Sequence, residues 1–180
     1  MPTEHKNNNR APLTPLNFET LALSSLALGF IRPAPGTWGS LAALGVAWPI
    51  HALGGPLLLL GATVLAFGVG LWATRDYLAT TGQHDPSEVV IDEDVGQCIA
   101  LHPVSLGAAQ SGAAFLALWP GILTAFVAFR APATLKPGPI GWAAQQPGAW
   151  GVMLDDIIAG WMAALLVAVA AFVAHVAMGV

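Results

Sequence analysis

The chain has 180 residues, of which 56% are hydrophobic and only 9% are charged, and its mean hydropathy is +0.67. Soluble domains carry about 25% charged residues, so this composition excludes an ordinary soluble domain and indicates an integral membrane protein. The formal net charge of −4, without a basic stripe, excludes nucleic acid as a partner, and the single cysteine, Cys98, excludes an internal disulfide and a cysteine-built metal site.

The predicted elements are helical along almost the whole chain. Residues 1–15 form a polar tail, which we assign to the cytoplasm, and residues 16–180 form a single domain. Its first apolar segment, residues 16–30, is short for a membrane span of roughly 20 residues, so we expect it to be re-entrant or interfacial. Further helices are predicted at residues 37–49, 56–74, 88–101, 106–131 and 151–180. The predicted fold is therefore an all-α polytopic membrane bundle of about four to six helices.

Counting the membrane crossings brings the polar loops to one side of the bundle. The predicted turns at residues 51–55 and 103–104 fall on the opposite side and contain no Lys or Arg. Four of the six basic residues lie at helix ends on the loop side: Arg32, Arg75, Arg130 and Lys136. Because Lys and Arg concentrate in cytoplasmic loops, we expect this side to face the cytoplasm.

The stretch RPAPGTWGSL, residues 32–41, contains a predicted helix start on the loop side. Thr37 suits the N-cap position, and the free N–H groups of the first helical turn favour an anion such as phosphate. The candidate phosphate-binding residues of this turn are Gly36, Thr37, Trp38, Gly39 and Ser40. An ordinary capped helix is the alternative interpretation.

The stretch EVVIDEDVGQ, residues 88–97, concentrates acidic residues in a chain that is poor in charge. On a helix, Glu88 and Asp92 are i,i+4 neighbours with Glu93 beside them, and like charges this close are unfavourable without a cation or a basic partner. Carboxylate oxygens are natural ligands of Mg²⁺. A solvated acidic helix end is the alternative interpretation.

Two further pairs of charged residues belong to the same side. Arg130 and Lys136, in FRAPATLKPGPI, suit phosphate oxygens, although plain positive anchors at the membrane surface are the alternative. Asp155 and Asp156, in GVMLDDIIAGW, begin the last apolar helix, where ionisable groups are expensive and usually functional. The small residues Ala159 and Gly160 would let another helix approach closely.

Acidic pairs, basic residues and a glycine-rich helix start on one face together predict a site for Mg²⁺-dependent phosphate transfer or hydrolysis. An ion-coupled transporter is the alternative, because acids near helix ends also bind coupling ions. The acids cluster on one face rather than at mid-membrane, and this favours the enzyme.

The motifs PAPGTWGSLAAL, VVIDEDVGQ, FR…LKPGPI and GVMLDDIIAG resemble those of phosphatidylglycerophosphatase A, a family of bacterial membrane phosphatases, and occur in the same order. The resemblance covers residues 20–165. It implies Mg²⁺-dependent hydrolysis of a phospholipid in the bilayer, phosphatidylglycerophosphate, to phosphatidylglycerol and phosphate, in phosphatidylglycerol and cardiolipin synthesis. It also implies a multi-pass enzyme of the bacterial inner membrane whose active site faces the cytoplasm.

Carried over to this sequence, the resemblance implies metal ligands at Asp92, Glu93, Asp155 and Asp156, and catalytic, phosphate-binding roles for Arg130 and Lys136. Asp94 stands where an apolar residue is usual in the family, so it is left out of the ligand set. The chain also departs from the family pattern at Ala133, where the family has an aspartate three residues after the arginine. A catalytically impaired family member that acts as a membrane partner is therefore a further alternative.

Overall fold

The computed structural model describes residue 31, residues 33–82 and residues 89–178. The polar tail and the apolar segment that we expect to be interfacial lie outside the described residues, as do Arg32 and Glu88. Within the described ranges the chain is helical and contains no strand, which confirms the all-α prediction.

Five α-helices and one short 3-10 helix form the described part of the bundle. They are α1 (Pro35–Thr81), α2 (Ile91–Ser111), the 3-10 helix Phe115–Leu118, α3 (Trp119–Leu135), α4 (Pro139–Ala144) and α5 (Ala149–Met178). Three segments are long and apolar enough to cross a bilayer: α1, the 3-10 helix joined to α3, and α5. The protein is thus a multi-pass membrane helical bundle, as predicted.

Helix α1 reverses its direction at Gly55, which has φ +63° and ψ −156°, a backbone conformation open essentially to glycine alone. We call residues 35–53 the first arm of α1 and residues 56–81 its second arm. Val46 of the first arm and Ala62 of the second arm line the same small cavity of about 190 Å³, so the arms lie side by side. This confirms the turn predicted at this position.

Helix α2 continues through Pro103 and ends at Ser111, so the predicted helix end at residues 102–103 is wrong. A proline inside a helix removes one backbone hydrogen bond, but neighbouring helices and side chains compensate for that loss in a membrane bundle. Here α2 contacts both α1 and α5. The turn after α2 lies at residues 112–114, before the 3-10 helix, and the number of long helical segments is unchanged.

Helices α2 and α5 touch through their backbones at Gly96 and Gly160. A Cβ on Gly160 would lie 3.0 Å from Cα of Gly96 and 2.5 Å from its carbonyl oxygen, so neither position has room for a side chain. This confirms the close helix approach predicted at Gly160. Because the contact lies about one helical turn from both Asp92 and Asp156, it fixes the spacing of their backbones.

Two contacts show which helix ends lie together. Nδ1 of His51 lies 2.6 Å from Oγ of Ser105, and its ring lies 4.9 Å from that of Phe115, so the turn of α1 and the end of α2 share one end of the bundle. Gly36 and Glu93 lie together at the other end. The acidic, basic and glycine-rich motifs meet there, as the count of crossings predicts.

Candidate active site

A cavity of about 800 Å³ opens at the end of the bundle where the polar motifs meet, and we call it the site cavity. Helices α1, α2 and α5 begin there and α3 ends there. All six charged residues predicted for the site line it: Asp92, Glu93, Arg130, Lys136, Asp155 and Asp156. Residues far apart in the sequence therefore share one space at the end of the bundle.

Asp92, Glu93 and Asp156 form the acidic group of the site cavity. One carboxylate oxygen of each lies within 4.8 Å of the others, and Asp92 and Asp156 are only 8% and 6% exposed. Three carboxylates this close and this buried repel one another unless a cation relieves the repulsion. Their oxygen atoms are the hard ligands that a divalent ion such as Mg²⁺ prefers.

Glu93 gives a second indication that these residues fit a metal. Its Oε1 lies 3.9 Å from Nη1 of Arg130, whereas its Oε2 is buried with no hydrogen-bond partner among the described residues. A buried polar atom normally has a partner. An ion held jointly with Asp92 and Asp156 would supply the partner for this oxygen.

Backbone N–H groups orient two of the carboxylates. The N–H of Glu93 donates to Oδ1 of Asp92, and the N–H of Asp156 donates to Oδ1 of Asp155, each at 3.0 Å. Hydrogen bonds to an ionised acceptor are stronger than those between neutral groups. Each bond therefore holds one oxygen of the carboxylate and restricts the rotation of the whole group.

Asp155 is placed differently from the other three acids. Its Oδ2 lies 2.8 Å from Nζ of Lys136, and it is not part of the acidic group formed by Asp92, Glu93 and Asp156. The carboxylate of Asp155 is 7% exposed and the Lys136 side chain is 41% exposed. The pair therefore joins the end of α3 to the start of α5 at the border of the site cavity.

Of the five candidate residues in the glycine-rich turn, only Gly36 lines the site cavity. Gly39 is buried against Val90, and the Ser40 hydroxyl donates to the carbonyl of Gly36 at 3.0 Å. Trp38 is 41% exposed and belongs to the outer surface of the bundle. The motif therefore contributes to the cavity mainly by bringing a residue without a side chain against the acidic group.

The N-cap predicted at Thr37 is wrong, because α1 begins at Pro35. Ala34 occupies the N-cap position with φ +62°, and its carbonyl accepts the N–H of Thr37 at 3.0 Å. Proline is favoured at the first helical position because its fixed φ is already helical and it has no N–H to satisfy. The N–H of Thr37 is thus bonded within the helix start.

Ala133 forms part of the wall of the site cavity, about one helical turn from Arg130. It is 7% exposed, and Thr134 beside it lines the same cavity. The position at which the resemblance implies an aspartate therefore lies at the site itself.

Among the described residues of the cavity wall, three polar ones were not predicted from the sequence: Thr134, Gln145 and Gln146. The side-chain amides of the two glutamines donate to the backbone carbonyls of Gly141 and Trp142, which fixes them in the loop after α4. A pair of neutral residues without periodicity gives no signal in a sequence. The only signal for Thr134 is its position inside the basic motif.

Comparisons with known proteins identify the family of the chain. The sequence model of the family described as Phosphatidylglycerophosphatase A matches residues 21–171. The phosphatidylglycerophosphatase A of Haemophilus influenzae is 35% identical over 164 residues, which is 90% of this chain and 94% of that protein. The phosphatidylglycerophosphatase A of Escherichia coli is 31% identical over 151 residues, which is 77% of each chain.

A third relative carries a different name. A protein of Bacteroides thetaiotaomicron, provisionally named phosphatidylinositol-3-phosphatase, is 35% identical over 153 residues, which is 81% of this chain and 88% of that protein. No solved structure matches the chain. The family match spans all four motifs and every charged residue of the site cavity. The chain therefore belongs to the phosphatidylglycerophosphatase A family, and it is a phosphatase.

Proposed function

We propose that the protein hydrolyses the terminal phosphate monoester of phosphatidylglycerophosphate and releases phosphatidylglycerol and inorganic phosphate, with Mg²⁺ as its metal. One observation carries the proposal: three carboxylates, two of them buried and one partly buried, share a cavity with two basic side chains at one end of a membrane bundle. The choice of substrate follows the names of the relatives in H. influenzae and E. coli.

The charges of the site cavity favour a divalent cation. Among the described residues that line it, four carboxylates (−4) and two basic groups (+2) leave a formal charge of −2 before a phosphate enters. Asp92, Glu93 and Asp156 would hold the ion, whereas Asp155, which the resemblance also implies as a ligand, contacts Lys136. When bound, Mg²⁺ polarises a phosphoryl oxygen and neutralises part of its charge.

The basic residues would bind the substrate phosphate from the other side. The guanidinium of Arg130 offers several donors in a planar fork, and the ammonium of Lys136 acts as a compact positive charge. Arg130 lies in α3 and Lys136 directly follows it, whereas the acidic group comes from α2 and α5, so a phosphate between them would contact both sets. Gly36 keeps the space beside Glu93 open.

Hydrolysis in this arrangement requires a water molecule opposite the leaving glycerol oxygen. The water oxygen forms a bond to phosphorus while the bond from phosphorus to the glycerol oxygen breaks. A carboxylate of the site cavity would orient the water and accept its proton, and the leaving oxygen takes up a proton to give the free hydroxyl of phosphatidylglycerol. Arg130 and Lys136 would stabilise the charge on the phosphoryl oxygens.

The site would face the cytoplasm of a bacterial inner membrane, where the product enters phosphatidylglycerol and cardiolipin synthesis. Arg130 and Lys136 line the cavity, and Arg75 lies near the end of the second arm of α1 on the same side. Basic residues concentrate on the cytoplasmic side of membrane proteins, and this supports the orientation.

The direct test is phosphate release from phosphatidylglycerophosphate by the purified protein, with Mg²⁺ and with EDTA. We expect release only with the metal, and we expect Glu93→Gln and Asp156→Asn each to abolish it, because each removes a ligand charge and keeps the side-chain shape. Mg²⁺ should also raise the Tm of the unaltered protein and leave that of Asp156→Asn unchanged, since a ligand stabilises the state that binds it. Undiminished release by both variants would contradict the site assignment.

The same assay separates the alternatives. If phosphate is released only from phosphatidylinositol 3-phosphate, the substrate would instead be the lipid that the name of the B. thetaiotaomicron relative gives. Release from neither lipid by folded protein would favour the catalytically impaired member that Ala133 suggests. Metal-dependent flux of an ion across proteoliposomes, without phosphate release, would favour the transporter.

A further inference from the structure

We propose that an apolar groove between α3 and α5 holds one acyl chain of the lipid whose phosphate is hydrolysed in the site cavity, an inference that rests on the proposed function. This space, the α3–α5 groove, has a volume of about 560 Å³. Helix α3 lines it with Leu123, Val127, Ala128 and Pro132, and α5 lines it with Met162 and Leu166.

The groove begins where the site cavity ends along α3. Arg130 and Ala133 line the site cavity, while Ala131 and Pro132, between them in the sequence, line the groove. Neighbouring positions on one turn of helix thus border the two spaces. A lipid whose phosphate contacts Arg130 would have its apolar part beside the opening of the groove.

Helix α5 connects the two spaces in the same way. Asp155 lines the site cavity, and Met162, about two turns further along the helix, lines the groove. The ion pair between Asp155 and Lys136 joins α5 to the end of α3, so it marks the charged end of the groove. The charged site cavity on one side of this pair and the apolar groove on the other match the headgroup and the acyl chain of a phospholipid.

The length and the lining of the groove suit an acyl chain. Pro132 follows Leu123 by nine positions, which is about 14 Å along a helix and close to the roughly 15 Å that one leaflet contributes to the hydrocarbon core. The polar side chain in the lining, Thr124, already donates its hydroxyl to the carbonyl of Pro120 at 2.8 Å. The side chains therefore leave no hydrogen bond for a ligand to satisfy.

A second groove, of about 480 Å³, lies between the second arm of α1, α2 and α5 and suits a chain less well. His102 lines it, and its Nε2 is buried with no hydrogen-bond partner among the described residues. Ile91 and Met153 close it towards the site cavity, because both approach Gly70, where a Cβ would lie 3.0 and 3.1 Å from their side chains. An acyl chain in this groove would be separated from the headgroup.

Two valines provide a matched test of the two grooves. Val127 lines the α3–α5 groove and is 56% exposed, and Val64 lines the second groove and is 61% exposed. Because both face outward, Val127→Trp and Val64→Trp add bulk in a groove without forcing a ring into the core. Hydrolysis of dipalmitoyl and of dihexanoyl phosphatidylglycerophosphate would be measured for both variants in the same detergent.

We expect Val127→Trp to raise KM for the dipalmitoyl lipid about tenfold, which corresponds to the lost burial of about two methylene groups. The dihexanoyl lipid should change less than about twofold, because it buries few methylene groups in either protein. Val64→Trp should alter neither KM. The proposal would be overturned if Val127→Trp raised KM equally for both lipids or for neither. It would also be overturned if Val64→Trp alone raised KM selectively for the dipalmitoyl lipid.

A labelling experiment tests the groove without turnover. Phosphatidylglycerophosphate with a diazirine on one acyl chain would be incorporated into nanodiscs with the protein, irradiated, and located by mass spectrometry. We expect adducts on residues 123–132 and 162–166 that are lost in Val127→Trp. Adducts on the second groove, or spread evenly over the lipid-facing surface, would overturn the proposal even if the protein releases phosphate. Absence of phosphate release with the expected adducts would count against the proposed function alone.

Discussion

Gly36 and Glu93 meet so closely between α1 and α2 that a Cβ at position 36 would overlap the Glu93 carboxylate and lie 3.2 Å from Nη1 of Arg130. The glycine of the first motif is therefore part of the acidic site because it has no side chain. Its contribution is the space that lets Glu93 and Arg130 approach the start of α1.

Gly36→Ala should displace the Glu93 carboxylate and lower kcat/KM by about a hundredfold, because a misplacement of about 1 Å in a catalytic group can cost that much. Gly45→Ala in the same arm is the matched control, since a Cβ there meets nothing within 4 Å. Phosphate release and the Tm would be measured for both. Similar losses in the two variants would show that the effect belongs to the helix and not to the contact.

Ala133→Asp should raise kcat/KM by about tenfold or more, because position 133 borders the site cavity and the new carboxylate adds a ligand or base within it. Thr134→Asp adds the same charge at the neighbouring position, which lines the same cavity. A gain at position 133 alone would show that the unaltered site lacks a useful group. Unchanged activity in Ala133→Asp would show that the site is complete without it.

The ion pair between Lys136 and Asp155 should serve both the stability of the fold and the binding of substrate. Lys136→Met removes the 2.8 Å partner of a carboxylate that is only 7% exposed, so we expect a lower Tm and a higher KM. In Lys136→Met/Asp155→Asn the Tm should recover, because no uncompensated charge remains, while KM stays high. Recovery of KM together with the Tm would mean that Lys136 acts only on the fold.

Gly160→Ala should push α2 and α5 apart and destabilise the protein by about 1–3 kcal/mol, because the added methyl group overlaps the backbone of Gly96. Gly68→Ala in the second arm of α1 is the control, since a Cβ there meets nothing within 4 Å. The Tm in detergent and the rate of phosphate release should fall together. A stable Gly160→Ala protein with full activity would contradict the close backbone contact.

The gathering of the charged motifs at one end could be predicted from the sequence, because hydropathy fixes the number of crossings and basic residues mark one side. The start of α1 could not be predicted from the sequence, because Pro35 and Thr37 both suit a helix start. In addition, Ala34 adopts a left-handed conformation that alanine rarely takes. The continuation of α2 through Pro103 could not be predicted either, since it depends on the helices that surround α2.

The different contacts of Asp155 and Asp156 also could not be predicted from the sequence. Successive residues on an α-helix point about 100° apart, so only one of the two acids can face the carboxylates of α2. The pattern of residues does not reveal the rotation of α5 about its axis. The contact of Gly160 with Gly96 sets that rotation and turns Asp156 towards Asp92 and Glu93.

The backbone contact of Gly96 with Gly160 also determines how bilayer thickness acts on the site. Membrane helices adapt to a thinner or thicker bilayer by tilting, and two helices tilt about the point where they touch. Asp92 and Asp156 lie about one turn from this pivot, so a relative tilt of about 10° would move them by roughly 1 Å. The far end of α2 at Ser111 would swing by about 4 Å. Bilayers of different thickness should therefore move the opposite end of the bundle about four times as far as the carboxylates.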